Sequence, residues 1–210
     1  RAGRLYAEGG AHDRRRPGTG VSLDDHDHRS ASLAAAGSTA LWAGLRLVVI
    51  DTETTRSPDR RPLRVVAAAR VTCRSGTVRS AWNTLVNPGV PIDSFSQSIH
   101  GITDEHVDGE PGFAAVAPLL LASFDAVGGE RVVVVGHNIG FDIAVLRHEL
   151  QLLGQDLPDL PVLDTMRLAA YLGVTGKQPK LSDVCAAVGV VNARPHDAHA
   201  DALAAAEAAI

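Results

Sequence analysis

Apolar and polar positions change period in clear blocks along the chain. Leu45–Asp51 is an almost unbroken apolar run that ends in acids, the pattern of a strand buried on both faces. Leu63–Thr72 and Val78–Val86 carry two further strand-like runs, and Arg74-Ser75-Gly76 between them is a hairpin turn signal. Asn87-Pro88-Gly89 closes the third strand, and residues 90–110 read as a loop containing His100-Gly101-Ile102-Thr103. After Pro111 the spacing becomes helical over Phe113–Ala126. The four valines of Arg131–Gly136 form another buried strand, and the amphipathic stretch Phe141–Leu153 ends at Gly154, a C-cap residue. Pro161–Asp164 reads as a short strand and leads into a helix reaching about Leu172. Leu181–Val188 is a helix stopped by Gly189, and Asp197–Ile210 is an Ala-rich final helix. Three antiparallel strands followed by alternating helix and strand predict an α/β fold. Its mixed sheet has three antiparallel and then two parallel strands, with helices on both faces.

Ahead of this domain, 45–210, lies an extension, 1–44. Its first 28 residues lack apolar periodicity and hold opposite charge clusters, Arg14-Arg15-Arg16 and Asp24-Asp25-His26-Asp27-His28, so a flexible arm is expected. Residues 29–43, rich in Ser and Ala, are expected to form a short helix into the domain. The chain starts at Arg1 and its last helix ends uncapped, which fits either a fragment or a processed product and leaves the choice open.

Composition narrows the chemistry. At 210 residues and 45% apolar content, the chain can bury a sizeable core. Net charge is −4 and the pI about 6.1, which gives no bulk basic signal for nucleic acid. A local metal site can hold phosphate on an acidic protein all the same. Aromatic content of 4% argues against long base-stacking platforms. Cys73 and Cys185 lie far apart without a Cys-x-x-Cys context, so both are expected as buried thiols in a reducing compartment, the cytoplasm. No apolar run approaches a membrane span.

Three acidic elements carry the candidate chemistry. In Val48-Val49-Ile50-Asp51-Thr52-Glu53, residues i and i+2 of a strand share a face, so Asp51 and Glu53 point the same way. Two carboxylates that close repel unless neutralised, and hard oxygen ligands suit Mg²⁺ or Mn²⁺. The second element, Gly136-His137-Asn138-Ile139-Gly140-Phe141-Asp142, places Asp142 in a first helical turn, where the helix dipole also favours an acid. The third, His196-Asp197-Ala198-His199-Ala200-Asp201-Ala202, places Asp201 near the start of the last helix and His196 on the segment before it.

Together these elements resemble the DnaQ-like, DEDDh class of 3′-to-5′ exonucleases, typified by the DNA polymerase III epsilon subunit, RNase T and oligoribonuclease. Asp51-Thr52-Glu53-Thr54-Thr55, His137-Asn138-Ile139-Gly140-Phe141-Asp142 and the His196–Ala202 stretch match its three motifs in order. His100–Thr103 and Leu163-Asp164-Thr165 match two satellites. The resemblance covers about residues 45–210. It implies an RNase H-like fold and two ions, Mg²⁺ or Mn²⁺, on Asp51, Glu53, Asp142 and Asp201, with Asp51 bridging. It also implies His196 as the base that takes a proton from water. Thr54, Thr55, His100, Asn138 and Phe141 would bind the 3′-terminal nucleotide, and Ile102 would wedge against its base. The implied partners are 3′ ends of DNA or RNA and a polymerase or larger multidomain context.

Arg56 stands where the family commonly has Gly, and Arg64–Ala69 lacks a glutamate often found there. His199 rivals His196, but the family's five-residue spacing to the aspartate favours His196. Two alternatives stay open. One is a non-catalytic nucleic-acid-binding or interaction module on the same fold. The other is a metal-dependent phosphoesterase acting on small nucleotides.

Overall fold

The computed structural model describes residues 42–56, 63–174 and 176–210. The expected arm, and all of the expected short helix up to residue 41, lie outside the described residues. Trp42–Gly44 form a turn, with the Leu45 N–H donating to the Trp42 carbonyl at 3.1 Å, and Trp42 already packs on the core. The packed unit therefore includes Trp42, three residues ahead of the boundary the apolar pattern suggests.

Among the described residues, five strands form one sheet in the order β3-β2-β1-β4-β5. They are β1 (Leu45–Thr54), β2 (Val65–Arg74), β3 (Thr77–Leu85), β4 (Arg131–Gly136) and β5 (Val162–Asp164). The β1–β2 and β2–β3 pairs are antiparallel, and β1–β4 and β4–β5 are parallel, as the pattern predicts. The hairpin turn joining β2 to β3 holds Ser75 at φ 52° and Gly76 at φ 69°, both left-handed, which suits the twist of a tight hairpin.

The alternation in β1 sorts the two layers. Val48 and Ile50 face α3 (Phe113–Leu121) and α4 (Gly140–Leu152), packing with Phe113, Leu120 and Leu146. Leu47 and Val49 face α7 (Ala198–Ala209), whose Ala202, Ala205, Ala206 and Ala209 let the helix lie close on the sheet. Between these elements run α5 (Thr165–Tyr171) and α6 (Leu181–Val188). Cys73 and Cys185 are free and buried, and burial pushes the Cys73 thiol up to about 12.

Residues 90–110 are not simply a loop. They contain α1 (Ser94–His100) and α2 (Asp104–Val107). Asp93 caps the first by accepting the Ser96 N–H at 3.0 Å and hydroxyl at 2.8 Å, and Gly101 ends it at φ 73°. Such short helices show no apolar period, so caps and tertiary packing define them instead. The helix after Pro111 also stops at Leu121, followed by a tighter turn over Ala122–Phe124. Among the described residues, no helix is long and apolar enough to cross a membrane.

Candidate active site

The site lies at the C-terminal end of β1. Asp51 and Glu53 continue the face of Leu47 and Val49, toward α7, where Asp201 stands in the first turn. Oxygens of Asp51, Glu53 and Asp201 all lie within 4.8 Å of one another. Asp142 approaches from the opposite side of the strand. Its Oδ1 accepts the Thr52 N–H at 2.9 Å and the Thr52 hydroxyl at 2.7 Å, all of it buried. The alternation of the strand thus explains the whole arrangement: 51 and 53 serve the α7 side, and 52 holds the carboxylate of α4. Gly136, at the end of β4, is required for this closeness. A Cβ there would meet the Ile50 carbonyl oxygen at 2.9 Å and Ile139 at 2.6 Å.

The electrostatics follow from that crowding. Burial, and then the charges of Asp142, Glu53 and Asp201, push Asp51 well above the usual carboxylate range. Burial and the charges of Asp201, Asp142 and Asp197 push Glu53 up to about 8. Burial pushes Asp142 to about 7 against the pull of its Thr52 hydrogen bonds. Asp201 is raised by burial and held back by Asn192 and the His196 backbone. Like charges this close favour the neutral acids unless a cation joins them.

Asp201 is aimed by the segment that precedes its helix. The Asn192 side-chain amide donates to its Oδ1, and the His196 backbone N–H donates to Oδ2 at 3.0 Å. His196 itself is exposed and holds φ 64°, a left-handed conformation costly for a non-glycine residue. His199, by contrast, is 5% exposed, inside the packing of α7. Asp197 caps that helix by accepting the Ala200 N–H at 3.0 Å.

The other expected residues divide into two sets. Thr54 is half-buried at the strand end, where the β1–β2 register shifts. His100 is half-buried; its Nδ1 accepts the Ile102 N–H at 3.0 Å. Burial lowers its pKa, opposed by the Thr54 backbone, which places the ring beside β1. Asn138 is exposed at φ 57°, and Phe141 is 42% exposed on the first turn of α4. These four keep accessible surface. Thr55 and Ile102 do not. Thr55 is buried, its N–H donating to the Arg64 carbonyl at 2.9 Å and its Oγ1 accepting the Arg64 N–H at 3.1 Å, so it braces the strand pair. Ile102 is 2% exposed in the core with Ile92 and Val107, and has no free surface to set against a base.

Several contributing residues escaped the sequence reading. Thr52 and Asn192 hold two of the four acids, and no spacing rule marks either. Asp164 Oδ1 accepts the N–H groups of Asn138 at 2.9 Å and Met166 at 3.0 Å, which gives the Leu163-Asp164-Thr165 satellite a physical purpose. His137 pins the same loop, its ring nitrogens 3.1 Å from the Thr165 hydroxyl and 3.0 Å from the Pro179 carbonyl oxygen. Arg56 lies over the Phe95 ring, 4.3 Å from its centroid, and its N–H donates to Asp93 at 2.7 Å.

Comparison with known proteins identifies the family. The RNase T exonuclease family model matches residues 48–209. The chain is 31% identical over 157 residues to the 3′-5′ exonuclease DinG of Bacillus subtilis, a match covering 75% of this chain and 16% of that protein. It is 35% identical over 169 residues to a DNA polymerase III subunit epsilon-like protein of Rhodobacter capsulatus, covering 78% and 23%. The chain therefore spans less than a quarter of the length of these two relatives. Among solved structures, the nuclease domain of 3′hExo bound to rAMP superposes with a TM-score of 0.68 at 17% identity, covering 78% of this chain and 89% of that one. E. coli Exonuclease I in complex with a dT13 oligonucleotide gives 0.66 at 21%, covering 79% and 40%. The mixed sheet thus has the RNase H-like fold of these solved exonuclease structures, and the chain belongs to the RNase T exonuclease family.

Proposed function

We propose that the chain is a 3′-to-5′ exonuclease that hydrolyses the terminal phosphodiester bond of DNA or RNA and releases nucleoside 5′-monophosphates. The observation that carries this reading is the convergence of Asp51, Glu53 and Asp201 within 4.8 Å, with Asp142 clamped across the same strand. Four crowded acids with raised pKa values, Glu53 and Asp142 buried and Asp51 and Asp201 half-buried, are costly to the fold, and hard divalent cations relieve that cost. The residues present therefore fit two Mg²⁺ or Mn²⁺ ions, held by Asp51, Glu53, Asp142 and Asp201. Such ions, when bound, neutralise the phosphate and make water a better nucleophile at neutral pH.

The chain's own groups do the rest. His196 takes a proton from the attacking water, and the left-handed turn at this residue fixes its backbone against Asp201. The water oxygen bonds to phosphorus, the bond from phosphorus to the 3′ oxygen of the preceding nucleotide breaks, and that oxygen takes a proton from solvent while His196 returns its own to solvent. Thr54, His100, Asn138 and Phe141 line the seat of the terminal nucleotide. A polymerase or multidomain context is a natural setting, since the relatives include a 3′-5′ exonuclease DinG and DNA polymerase III PolC-type proteins.

The test is an oligonucleotide labelled at its 5′ end, incubated with Mg²⁺. A ladder shortening one nucleotide at a time, stopped by EDTA, is expected. A chain that binds the oligomer but leaves it intact at every Mg²⁺ or Mn²⁺ concentration would be the non-catalytic module instead.

A further inference from the structure

Three arginines share one face of the sheet, on the side away from Asp51 and Glu53. Arg46 lies on the face of Val48 and Ile50, by the alternation of β1. Arg74 is its direct partner on β2 and Arg70 is the partner of Ile50, so both point to that same side. Arg46 also stands roughly 17 Å back along the strand from Asp51. The Arg70 side chain runs toward the other two: its Nη1 donates to Thr72 Oγ1 at 2.9 Å and to Ser80 Oγ at 3.4 Å. Arg70 and Ser80 are half-buried and the Arg74 side chain is 40% exposed, so solvent reaches the cluster.

The charges of this cluster do not balance. Among the described residues, Glu130 is the carboxylate that pairs with it, its Oε2 lying 3.8 Å from Arg46 Nε and 3.0 Å from Arg74 Nη2. Neither contact has hydrogen-bond geometry. Arg46 is 6% exposed, and its Nη2 donates to the Asp125 backbone carbonyl, a neutral acceptor. Arg70 forms no ion pair among the described residues and has only the two hydroxyls. Burial, and then the charge of Arg46, lower the Arg70 pKa, so the two guanidinium groups act on each other. The Nε–H groups of Arg46, Arg70 and Arg74 are all buried without an acceptor among the described residues. Buried cations with too few acceptors are costly to the fold, and a bound anion removes that cost.

We propose that Arg46, Arg70 and Arg74 form a binding site for a small phosphate dianion, either inorganic phosphate or the phosphoryl group of a phosphate monoester. Three guanidinium charges against the one carboxylate of Glu130 leave an excess of two, which a dianion neutralises. A phosphoryl group brings about two negative charges and three strong acceptor oxygens, where a carboxylate brings one charge and two oxygens. Planar guanidinium forks match phosphate geometry, and their bonds to it are charge-assisted. The hydroxyls of Thr72 and Ser80, already drawn to Arg70, hold that side chain in place for the anion. The inference is independent of the exonuclease reading, because the acids of that site repel the same anion when no metal is bound.

Calorimetry on the full chain in EDTA tests this, since the metal-free acids then contribute no anion binding. The probes are inorganic phosphate and adenosine 5′-monophosphate, each against chloride at equal ionic strength. Saturable binding of phosphate is expected, with Tm raised by roughly 3–6 °C at about ten times its Kd. The double variant Arg70→Gln, Arg74→Gln should bind phosphate about ten-fold more weakly or worse, the loss expected for charge-assisted bonds. Arg147→Gln, which removes an exposed charge on α4, should leave the affinity unchanged. Arg70→Lys keeps the charge and loses the fork, so it should weaken binding less than Arg70→Gln does. Should the double variant not fold, the single variants at these two half-exposed positions carry the same comparison. Adenosine 5′-monophosphate binding as tightly as inorganic phosphate, or more so, would name a monoester as the ligand; binding of inorganic phosphate alone would name the free ion. A Tm change that never saturates and is matched by chloride would overturn the proposal. So would equal phosphate affinity in the wild type and the variants at Arg70 and Arg74.

Discussion

Asp142 is tied to Thr52 by two hydrogen bonds to one oxygen, from the backbone N–H at 2.9 Å and from the hydroxyl at 2.7 Å. The hydroxyl bond can be deleted almost isosterically. Hydrogen bonds to a charged group contribute about 1.5–3 kcal/mol, and this one holds the Asp142 pKa down against burial. Thr52→Val should therefore move that pKa above its present value of about 7. Near neutral pH a larger fraction of Asp142 would be protonated, and Mg²⁺ affinity by calorimetry should fall roughly ten-fold, the equivalent of one pKa unit. At about pH 9 the variant should converge on the wild type. Equal affinities at both pH values would mean that Asp142 does not ligate the ion.

The same crowding sets how the metal-free fold responds to pH. Glu53 and Asp142 have folded pKa values of about 8 and about 7, above their ordinary values of 4.5 and 3.8. The folded state thus binds more protons than the unfolded chain over that window. The stability these groups contribute is complete below about pH 4 and is lost as pH rises through about 7 to 8. In EDTA, Tm should fall by roughly 5 °C or more between about pH 5 and pH 9. Millimolar Mg²⁺ should restore most of that fall at the alkaline end, because an ion that binds only the folded state stabilises it. A flat Tm profile in EDTA would contradict the burial of these acids.

Charge removal at Asp51 should separate stability from activity. Asp51→Asn keeps the shape and deletes one of the crowded charges, the one raised by burial and by Asp142, Glu53 and Asp201 together. The metal-free variant should melt higher than the wild type above about pH 8, as relief of functional-site strain predicts. Hydrolysis of the labelled oligonucleotide should fall to background, and at least one ion should vanish from the titration. A variant that melts lower and still cleaves would remove Asp51 from the centre of the site.

How much of this was legible in the sequence depends on the range of the forces involved. Apolar period located all five strands and the longer helices, since Val48, Val49 and Ile50 are buried for reasons that local pattern records. Asp51 and Glu53 could be placed on one face by strand geometry alone. Asp142 could be placed in a helical first turn, but its partner could not be named: Thr52 is 90 residues away and meets it only through the β1–β4 pairing. The two short helices in 90–110 were invisible because Asp93 and Gly101, not an apolar stripe, define the first of them. Ile102 shows the opposite failure. A motif position identifies a residue and a neighbourhood, yet the packing around Ile92 and Val107 decides which way it faces.

His196 and His199 give the sharpest test of the third motif. His196 is exposed, precedes α7, and has its backbone fixed to Asp201 by a 3.0 Å hydrogen bond. A base that takes a proton from water should contribute roughly 10²–10⁴-fold to turnover, so His196→Ala should lose that much. The calorimetric Mg²⁺ affinity should change little, because the ring is not expected to ligate. Its backbone N–H survives the substitution and still holds Asp201 in place. His199 is 5% exposed within α7, so His199→Ala empties a buried position. It should lower Tm by several degrees, in line with core truncations of roughly 1–3 kcal/mol. The turnover of the molecules that remain folded should stay close to wild type. The two variants therefore predict opposite profiles: one stable and slow, the other unstable and fast. If His199→Ala were the slow enzyme and His196→Ala kept full turnover, the proton would be leaving through a different group, and the role assigned to the exposed histidine would be wrong.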